Sequence, residues 1–577
     1  MEQSRKEAPR IGVFICHCGI NIGGVVNVPK VVEYAKTLPD VAYAEDNLYT
    51  CSSDGLNKIK EGIAKYNLNR VVVASCTPRT HEPLFRATCE EAGVNKYLFE
   101  MANIREHCSW AHMHEHEKAT EKAKDIVRMA VAKARLLQPQ TEPEIDVTPS
   151  ALIIGGGISG MTAALCLADQ GFKVSLVEKE PELGGMLRNL HKLYPTMQDT
   201  TQSLEHFLEA LKSNKSIDVF TSTVVKEVKG FIGNFEVTLQ KGNSETANLD
   251  IGTIVVATGA TVFEPVGMYG YGEHENVITQ LQLERLLKEG KLKKPEKVVM
   301  IQCVGSREEK GRTYCSRVCC MTALKNAMLI KDLYPETDIY LLYRDLQTYG
   351  QLYEHHHREA QEKGIMFIKY VLEKPPEVVA GRNGKLEVNV YHALLDQPIK
   401  IESDLVVLAT PLIQHADAKE LSKMLKVPLG SDGFFFEAHV KLRPIEFATD
   451  GIYVCGTAHS PKDTAESVSQ AFGVASRAAI PMALKRLRTE AVTALVDEDL
   501  CSGCRICEAV CEYSAIEMQE KEGKLTSKVL EALCKGCGTC GASCPTGAIT
   551  MRHFTDNQLI AQVRAAPQTA KEVTKVD

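Results

Sequence analysis

Continuous apolar runs alternate with amphipathic stretches along most of the chain, a pattern typical of α/β folds. Buried strands are predicted at 11–16, 71–75, 297–302 and 339–343. Amphipathic helices are predicted at 28–38, 55–66 and 115–137. Between 216 and 240, polar and apolar residues alternate as in a small sheet. We therefore expect an α/β multidomain protein.

The most informative pattern begins with the apolar run 150–154 and continues through a glycine-rich turn, a helix and a second strand. This order, closed by an acid at Glu178, is the one that a dinucleotide-binding fold requires. Gly155 would permit the tight turn, Gly157 would let the backbone approach a pyrophosphate, and Gly160 would let the helix close on the sheet. Glu178 would accept hydrogen bonds from ribose hydroxyls. An ordinary βαβ unit without a nucleotide is the alternative interpretation.

Three later stretches are expected to join the same site. A Gly-Gly loop lies within 182–188, a strand at 251–260 ends in Ala-Thr-Gly, and 451–477 has the pattern of a strand, a glycine turn and a long helix. The candidate cofactor-binding residues are Gly155, Gly157, Gly160, Glu178, Lys179, Gly185, Met186, Ala257, Thr258, Gly259, Gly456 and Asp463.

Together these stretches resemble the thioredoxin-reductase-like class of flavoproteins, which contain two dinucleotide domains. The resemblance covers about 150–265 and 405–490 and implies FAD at the glycine turn. The class usually has Gly-Asp where this chain has Gly456-Thr457, so the phosphate contact would fall to Asp463 or to another group. We therefore predict an FAD domain over 150–490, preceded by a proline-containing linker.

The segment 266–400 should then form the second dinucleotide domain, but its turn is degenerate. Where nicotinamide-binding proteins have GxGxxG, the strand 297–302 is followed by Cys-Val-Gly-Ser-Arg, so the fold is expected without nicotinamide binding. The CxxC dithiol of thioredoxin reductases is also missing from this segment. Four cysteines in C-x11-C-x3-CC spacing match the ligand demand of one [4Fe–4S] cluster, with a zinc site or a redox dithiol as the alternative. These cysteines are Cys303, Cys315, Cys319 and Cys320.

Composition narrows the class of protein further. The chain has 20 cysteines in 577 residues, and they concentrate in 16–108, 303–320 and 501–544. In a chain without a secretory pattern, this grouping indicates metal binding rather than disulfides. A net charge of -7 and a pI near 6.2 give no indication of nucleic-acid binding. Because no long uninterrupted apolar run and no signal-peptide pattern are present, we expect a cytoplasmic location without a membrane span.

The strongest metal pattern lies in a predicted domain at 491–555. Two runs of four cysteines repeat the C-x2-C-x2-C-x3-C spacing of bacterial two-cluster ferredoxins, in which the fourth cysteine of each run ligates the other cluster. The first cluster should use Cys501, Cys504, Cys507 and Cys544, and the second should use Cys511, Cys534, Cys537 and Cys540. A zinc ribbon is disfavoured because this spacing crowds four thiolates too closely for one tetrahedral ion. The polar stretch 556–577 is expected to be a loose tail.

Residues 1–140 form a further predicted α/β domain, with cysteines at the ends of its strands. Strand ends are where α/β folds expose side chains to ligands. An iron–sulfur site here would draw on five cysteines, Cys16, Cys18, Cys51, Cys76 and Cys108, of which Cys16, Cys51, Cys76 and Cys108 are the preferred ligands. No CxxC spacing supports this site, so small buried hydrophobic side chains are an equal alternative.

Taken together, six stretches resemble the A-type subunit of heterodisulfide reductase over essentially the whole length. They are GVFICHCGINIGG, VVVASCTPRTHEPLFR, YLFEMANIREHCSW, the glycine turn, the mid-chain cysteine group and the two ferredoxin-like runs. The resemblance implies an oxidoreductase whose FAD splits or merges electron pairs, in bifurcation or confurcation, and passes single electrons along [4Fe–4S] clusters. The implied partners are B- and C-type subunits, an electron-donor module and ferredoxin, in a dimerised hetero-complex.

The resemblance also implies a lysine near the flavin N5, at Lys325 in this chain, where a positive charge would stabilise reduced flavin. Methanogen members of the family carry an inserted ferredoxin domain after the Gly-Gly loop. Here 189–250 contains no cysteine, so the chain is a short type, and whether both electron branches run through it stays open. A free-standing NAD(P)H-dependent flavin and iron–sulfur oxidoreductase is the alternative, although the missing second glycine motif argues against it.

Overall fold

The computed structural model describes residues 8–242, 245–521 and 523–566. They form two compact units. The terminal unit joins the described residues up to Glu144 to those from Arg488 onward, and the central unit is Ile145–Leu487. The expected N-terminal and ferredoxin domains therefore belong to one unit. The expectations for the start of the chain, 1–7, and for the last part of the tail, 567–577, lie outside the described residues.

The terminal unit begins with a small α/β sandwich. Its elements are β1 (Ile11–Cys16), α1 (Val28–Ala35), β2 (Val41–Asn47), α2 (Ser53–Tyr66), β3 (Arg70–Ser75), α3 (Pro78–Glu91), β4 (Phe99–Asn103), a π-helical turn (Arg105–Ser109) and α4 (His116–Ala134). Strand β5 (Glu144–Asp146) follows at the boundary with the central unit. The four strands β2-β1-β3-β4 pair in parallel. Every residue of β1 is buried because α1 and α4 cover one face and α2 and α3 cover the other. All four strand ends therefore meet at one edge.

The central unit starts with the glycine turn. Its first elements are β6 (Ser150–Ile154), α5 (Ile158–Asp169), β7 (Lys173–Val177), a 3₁₀ turn (Gly185–Asn189), β8 (Lys192–Leu193), β9 (Gln198–Asp199), α6 (Thr200–Ser213), β10 (Ile217–Phe220), β11 (Thr223–Phe231), β12 (Asn234–Lys241), β13 (Glu245–Ile251), β14 (Thr253–Val256) and β15 (Thr261–Val262). The small sheet predicted over 216–240 is found in part: β11, β12 and β13 form an antiparallel meander over 223–251, whereas β10 pairs in parallel with β7.

The chain then builds a second sheet before it returns to the first. These elements are β16 (Val277–Thr279), α7 (Gln280–Lys288), β17 (Lys297–Ile301), α8 (Cys319–Leu333), β18 (Asp338–Tyr343), α9 (Tyr353–Glu362), β19 (Met366–Lys369), β20 (Glu377–Ala380), β21 (Leu386–His392), β22 (Gln397–Ser403), β23 (Leu405–Leu408), β24 (Leu412–Ile413), α10 (Ala418–Leu425), β25 (Ile452–Val454), a 3₁₀ turn (Gly456–Ala458), α11 (Thr464–Leu484) and β26 (Arg486–Arg488).

The two halves of the central unit have the same architecture. The first sheet has the order β10-β7-β6-β14-β25, and the second has the order β16-β23-β17-β18-β19; both are parallel and five-stranded. Each half also carries a three-stranded antiparallel meander, β11-β12-β13 or β20-β21-β22. Strand β6 of the first half therefore corresponds to β17 of the second, and α5 corresponds to α8.

The terminal unit is completed by the ferredoxin-like segment. Its elements are β27 (Ala494–Val496), α12 (Ile506–Val510), β28 (Ile516–Lys521), β29 (Lys524–Val529), α13 (Thr539–Ala542), β30 (Ile549–Met551) and α14 (Asp556–Arg564). Strand β27 pairs with β30, and β28 pairs with β29. Among the described residues of both units, no helix combines the length and the apolar character needed to cross a membrane.

Helix α14 corrects the expectation of a loose tail for 556–564. The Gln558 side chain accepts a hydrogen bond from the Thr555 N–H at 2.9 Å, which is half of a capping box. Its Nε2 donates to the carbonyl of Leu136 at 3.0 Å, and Arg128 of α4 donates to the carbonyl of Ala565 at 2.7 Å. The segment is polar because it packs against α4 through hydrogen bonds rather than through a wide apolar face.

Candidate functional site

The turn between β6 and α5 is shaped by two glycines and open at a third. A Cβ on Gly155, which has φ 112°, would lie 2.4 Å from the carbonyl oxygen of Ala257. A Cβ on Gly160 would lie 1.8 Å from the carbonyl oxygen of Gly155, so the helix closes on the turn only without a side chain. No atom lies within 4 Å of the corresponding position on Gly157, at the start of α5. This opening at a helix N-terminus fits a pyrophosphate.

Glu178, at the end of β7, is held by backbone groups. Its carboxylate is 8% exposed and accepts from the N–H groups of Gly156 at 2.7 Å and Glu180 at 2.8 Å. Each oxygen keeps a lone pair for a ribose hydroxyl. Lys179, the next residue, instead lies on the surface, where its ammonium pairs with Asp417 at 2.8 Å.

The Gly-Gly loop lies directly against the glycine turn. The N–H of Gly184 donates to the carbonyl of Gly156 at 2.8 Å, and a Cβ on Gly185 would lie 3.2 Å from the Cα of Gly157. Met186 follows in the 3₁₀ turn and is half-buried. The loop therefore approaches the turn itself, and its glycines serve that close approach.

Two further predicted pieces meet at the same sheet edge. The Thr258 hydroxyl, directly after β14, is buried and has no hydrogen-bond partner among the residues that the structure describes. Gly259 lies beside Thr457, since its Cβ position is 3.6 Å from Oγ1 of that threonine. Gly456 has φ 69°, and a Cβ there would lie 2.2 Å from the Ser159 hydroxyl at the start of α5. The orphaned hydroxyl and the open glycine turn together fit a bound dinucleotide such as FAD.

Asp463 acts as the N-cap of α11. One carboxylate oxygen accepts from the N–H of Glu466 at 2.8 Å, and Glu466 accepts in return from the N–H of Asp463 at 3.2 Å. The other oxygen accepts a hydrogen bond from the Tyr353 hydroxyl. The structure therefore uses this residue to begin the helix and to hold α9, rather than leaving it free for a phosphate.

A buried lysine that the sequence did not single out lies one residue earlier. Lys462 is 8% exposed and donates to the carbonyls of Gly456 and Ser460 and to the Ser460 hydroxyl at 2.9–3.0 Å. Burial lowers the pKa of this ammonium to about 8. It links the Gly456 turn to the start of α11.

The four mid-chain cysteines converge in the loop 302–318 and the first turn of α8. Burial raises the pKa of Cys319 well above its usual value, and the neighbouring thiols of Cys320, Cys303 and Cys315 add to that rise. The pKa of Cys320 rises to about 12 for the same main reason, with Cys303 and Cys315 contributing again. The N–H of Arg317 donates to Cys315 Sγ at 3.3 Å. All four thiols thus share one neighbourhood, as one [4Fe–4S] cluster would require.

Lys325 lies on α8, and its side chain is 3% exposed. Its ammonium donates to the carboxylate of Glu284 and, at 2.7 Å, to the carbonyl of Lys192. The other oxygen of Glu284 accepts from the N–H of His191 at 2.9 Å. Burial lowers the pKa of Lys325, and Glu284 opposes that shift. The pair fixes 191–192, which follow the turn that carries Gly185.

At the carboxyl edge of the N-terminal sheet, four cysteines lie together. Burial raises the pKa of Cys76 to about 11, Arg105 opposes the rise, and Cys18 and Cys16 contribute to it. Burial also raises the pKa of Cys51, with Cys16 and Cys18 as its neighbouring thiols. The Arg105 guanidinium reaches Cys18 Sγ at 3.6 Å. The neighbouring side chains of Asn47, Thr50 and Ser75 have buried polar atoms without partners in the described part of the chain.

Cys108 does not belong to this group, which corrects the preferred ligand set. Its sulfur donates to the carbonyl of Ala119 at 3.0 Å and is buried in the apolar core of β1, α1 and α4. The π-helical turn Arg105–Ser109 carries Cys108 into the core and leaves Arg105 at the thiol site. The structure therefore assembles Cys16, Cys18, Cys51 and Cys76. Cys18 was one of the five candidate cysteines but not among the four preferred ligands, and its C-x-C spacing with Cys16 was the signal for it.

The ferredoxin-like segment contains two cavities that divide its eight cysteines. The first cavity is lined by Cys501, Cys504, Cys507 and Cys544. The second is lined by Cys511, Cys534, Cys537 and Cys540. Within the described ranges, no three His, Cys, Asp or Glu side chains form a compact single-ion site, either at these cavities or at the mid-chain and N-terminal cysteine groups. Each cavity collects three cysteines of one run and the fourth of the other, the sets that the spacing predicts.

The balance between burial, which raises a cysteine pKa, and hydrogen bonds, which lower it, differs among the cysteines of the two cavities. Burial would raise the pKa of Cys501 and Cys544, but donors outweigh it and lower both: Ser527 and Gly503 at Cys501, and Thr546, Ala548 and Ile549 at Cys544. At Cys540 burial dominates and raises the pKa to about 11. The thiolate, the form that ligates iron, is therefore favoured at Cys501 and Cys544 and disfavoured at Cys540.

Comparison with known proteins decides the family. Residues 149–472 match the pyridine nucleotide-disulphide oxidoreductase family, and 494–551 match the 4Fe-4S dicluster domain. The A-type subunit of the H(2):CoB-CoM heterodisulfide,ferredoxin reductase of Methanothermobacter marburgensis is 41% identical over 98% of this chain and 99% of its own length. An A-type iron-sulfur subunit of the CoB–CoM heterodisulfide reductase of Methanopyrus kandleri is also 41% identical, over the same shares. The chain belongs to the family of heterodisulfide reductase A-type subunits.

Membership of the heterodisulfide reductase family makes the chain an oxidoreductase that binds FAD and [4Fe–4S] clusters. The alignment with the Methanothermobacter relative extends over 659 positions, more than the 577 residues of this chain, so the relative contains residues that this chain lacks. Among solved structures, thioredoxin reductase of T. acidophilum is 16% identical, covering 58% of this chain and 98% of its own, with a TM-score of 0.41.

Proposed function

We propose that the chain splits or merges electron pairs at FAD inside a heterodisulfide-reductase-type complex and passes single electrons along [4Fe–4S] clusters. The observation that carries the proposal is the turn after β17. There, Cys319 and Cys320 both have Cys303 and Cys315 as neighbours, at the position where a nicotinamide-binding domain has its phosphate loop. A one-electron centre thus replaces a hydride donor beside the flavin fold.

Bound FAD would supply the exchange between electron pairs and single electrons. The N-terminus of α5 and the open side of Gly157 would hold its pyrophosphate. Glu178, oriented by the N–H groups of Gly156 and Glu180, would accept from its ribose. Lys325 remains our proposed cation for the flavin, and its pair with Glu284 positions the backbone that follows the Gly-Gly loop.

We assign four clusters to the cysteine groups. The ligand sets are Cys303, Cys315, Cys319 and Cys320; Cys16, Cys18, Cys51 and Cys76; Cys501, Cys504, Cys507 and Cys544; and Cys511, Cys534, Cys537 and Cys540. Each set supplies four thiolates, the demand of one [4Fe–4S] cluster. The domains that carry them are proposed as 1–140, 266–400 within 150–490, and 491–555.

The proposed partners follow from the printed names of the relatives. Those names describe A-type subunits of heterodisulfide reductases, and one of them, a heterodisulfide,ferredoxin reductase, also names ferredoxin. We propose that this chain likewise works with B- and C-type subunits, an electron-donor module and ferredoxin, in a dimerised complex. Because this shorter chain lacks the inserted ferredoxin domain, we propose that the second electron branch runs through other subunits or through the C-terminal clusters.

Anaerobic purification with the native partners tests the cofactor assignment. Four clusters require about 16 irons per chain and one FAD, whereas the ferredoxin pair alone requires about eight. NADH or NADPH added to the isolated chain should leave the flavin oxidised, because the second domain has no nucleotide turn. Direct bleaching of the flavin by either nucleotide would favour the free-standing oxidoreductase instead.

The splitting step has its own test in the assembled complex. With the donor present, ferredoxin should be reduced only while the second acceptor is also present, in equal electron numbers. Ferredoxin reduction that proceeds at full rate without the second acceptor would show simple electron transfer.

A matched pair of variants tests the N-terminal site. Cys18→Ser should lower the iron content by about four atoms per chain, since it removes one ligand of a four-iron cluster. Cys108→Ser should leave iron unchanged, because its sulfur contacts only the core and the Ala119 carbonyl. Equal losses in both variants would reinstate Cys108 as a ligand.

A further inference from the structure

A chain of three hydrogen bonds ends at the Gly456 turn, one of the pieces that meet at the candidate flavin site. The Gly456 N–H donates to Oε1 of Gln470, on α11, at 2.9 Å. Nε2 of the same amide lies 2.9 Å from Nδ1 of His459. Nε2 of His459 in turn lies 2.9 Å from the carboxylate of Glu437. The chain therefore connects the loop that carries Glu437, the turn and α11 within the central unit.

The chemistry of these groups determines where their protons lie. A peptide N–H can only donate, so the oxygen of the Gln470 amide must face Gly456, and the NH2 group must face His459. Because an NH2 group donates, Nδ1 of His459 is the acceptor and carries no proton. The one ring proton is then on Nε2, which donates to Glu437. The arrangement therefore requires a neutral imidazole in a single tautomer.

A second proton on His459 is incompatible with this chain. It would place an N–H at Nδ1 opposite the NH2 group of Gln470, so that two donors faced each other. Rotation of the amide by half a turn would satisfy the imidazolium, but it would direct the NH2 group at the Gly456 N–H. Both arrangements leave a donor without its acceptor at a site where the His459 side chain is only 17% exposed.

Charged side chains around the ring act on its proton affinity in both directions. Burial lowers the pKa of His459, and the ammonium of Lys462 lowers it further. The carboxylates of Glu437 and Asp432 oppose that shift. From α11, the carboxylate of Glu466 faces Lys462 and partly balances its charge. The direction of the His459 pKa shift thus agrees with the neutral ring that the hydrogen bonds require.

We infer that this hydrogen-bonded chain positions the Gly456 turn for FAD, and that FAD binds preferentially while His459 is neutral. The inference rests on the proposed flavin site, to which the turn belongs because a Cβ on Gly456 would lie 2.2 Å from the Ser159 hydroxyl at the start of α5. Protonation of the ring would release the Gly456 N–H, so FAD affinity should fall in acid. By linkage, bound FAD makes the second proton harder to add to the ring.

The test is the FAD dissociation constant of the full-length, iron-loaded and flavin-depleted protein, measured anaerobically by equilibrium dialysis from pH 5 to 8. Below about pH 6.5, the usual histidine pKa, wild-type affinity should weaken by up to about tenfold per pH unit, because FAD binding then displaces one proton. In His459→Gln, the new amide can donate to Glu437 but cannot take up a proton. Its FAD affinity should therefore not change with pH over this range.

Two further variants separate this chain from a general effect of acid. In Gln470→Glu, a carboxylate can accept both from the Gly456 N–H and from a protonated His459, so FAD affinity should not weaken in acid. His415→Gln removes another histidine of the central unit, one that acts on Glu178. It should keep the wild-type dependence on pH.

The inference holds if His459→Gln and Gln470→Glu both abolish the loss of affinity in acid while His415→Gln retains it. It is overturned if either of the first two variants weakens in acid like the wild type, if His415→Gln abolishes the loss, or if the wild type shows none. Circular dichroism and iron content at each pH establish that the chain stays folded. Failure of the wild type to bind FAD at any pH would instead refute the flavin site itself.

Discussion

The two halves of the central unit place different chemistry at the same position of the same fold. After β6, three residues lead into α5. Gly155 and Gly160 allow close backbone contacts in this turn, and Gly157 leaves open space at the start of the helix. After β17, seventeen residues lead into α8, and they and its first turn carry four cysteines. Both turns present a helix N-terminus, which favours negative charge. The first suits a pyrophosphate, and the second suits an anionic iron–sulfur cluster.

The difference shows what each turn requires from its neighbours. The glycine turn is limited by backbone contacts, since Gly155 and Gly160 would clash with carbonyl oxygens if they carried side chains. The cysteine turn is limited by desolvation, because burial raises the pKa of Cys319 and Cys320 and keeps them protonated without metal. Metal binding must displace those protons, so loading of this site should depend on pH.

The largest expected effect is the loss of a whole cluster from the cysteine turn after β17. Cys315→Ser should remove about four irons per chain, because three thiolates do not satisfy a [4Fe–4S] cluster. Flavin content should stay unchanged. Iron and flavin analysis measures both, with Cys166→Ser as the control, since Cys166 lies on α5 and contacts Gln170. Unchanged iron in Cys315→Ser would remove the cysteine turn from the cluster assignment.

The second prediction concerns the glycine turn after β6, which should lose its FAD when Gly160 is replaced. Gly160→Ala places a Cβ 1.8 Å from the carbonyl oxygen of Gly155, which has no flexible side chain to move aside. FAD content should fall by most of its value, with iron retained, and overpacking should cost about 3 kcal/mol of stability. Gly473→Ala on α11 is the control, because its nearest contact would be an ordinary 3.4 Å. Full flavin retention in Gly160→Ala would contradict the packing argument.

The next effect, on stability rather than on cofactor content, should come from the buried ion pair of the second half. Helix α8 buries Lys325 against Glu284, whereas α5 buries no charged side chain. Glu284→Gln leaves the ammonium uncompensated and should cost about 3–5 kcal/mol in the free energy of unfolding. Urea unfolding followed by circular dichroism measures this loss.

The double variant Glu284→Leu with Lys325→Met separates stability from function. It should recover most of the lost stability, because apolar side chains replace both charges. If Lys325 also acts on the flavin, the double variant will still show a lowered flavin potential. Recovery of stability and potential together would make the pair purely structural.

The smallest expected effect concerns Lys462, beside the Gly456 turn of the first half. Its pKa is about 8 in the folded chain and 10.5 in the unfolded chain, so between these values the unfolded chain binds one more proton. Stability should therefore rise with pH over this window, by up to about 3 kcal/mol. The difference in urea midpoint between wild type and Lys462→Met, measured from pH 7.5 to 10.5, reports it. A difference independent of pH would contradict the lowered pKa.

Local sequence patterns were sufficient to predict a structural feature wherever its contacts lie within a few residues or within one strand–turn–helix unit. The strand 11–16, the turn at Gly155 and Gly160, and the degenerate turn at Cys303 follow from such patterns. Helix α14 was missed although its capping signal, Thr555 and Gln558, is present, because the helix depends on hydrogen bonds to α4. The sequence left the phosphate contact open between Asp463 and another group, because the Tyr353 partner of Asp463 is 110 residues away.

The sequence alone determined the family, the cofactor classes and the pairing of ferredoxin cysteines, because these depend on spacing that the chain carries locally. Tertiary structure decided which cysteines meet at the N-terminal sheet. The Cys18 sulfur lies at the thiol site beside Arg105, whereas a π-helical turn directs the Cys108 sulfur into the core. It likewise decided that Lys325 is paired with Glu284. Side-chain direction and burial depend on packing between distant segments, and no local pattern encodes them.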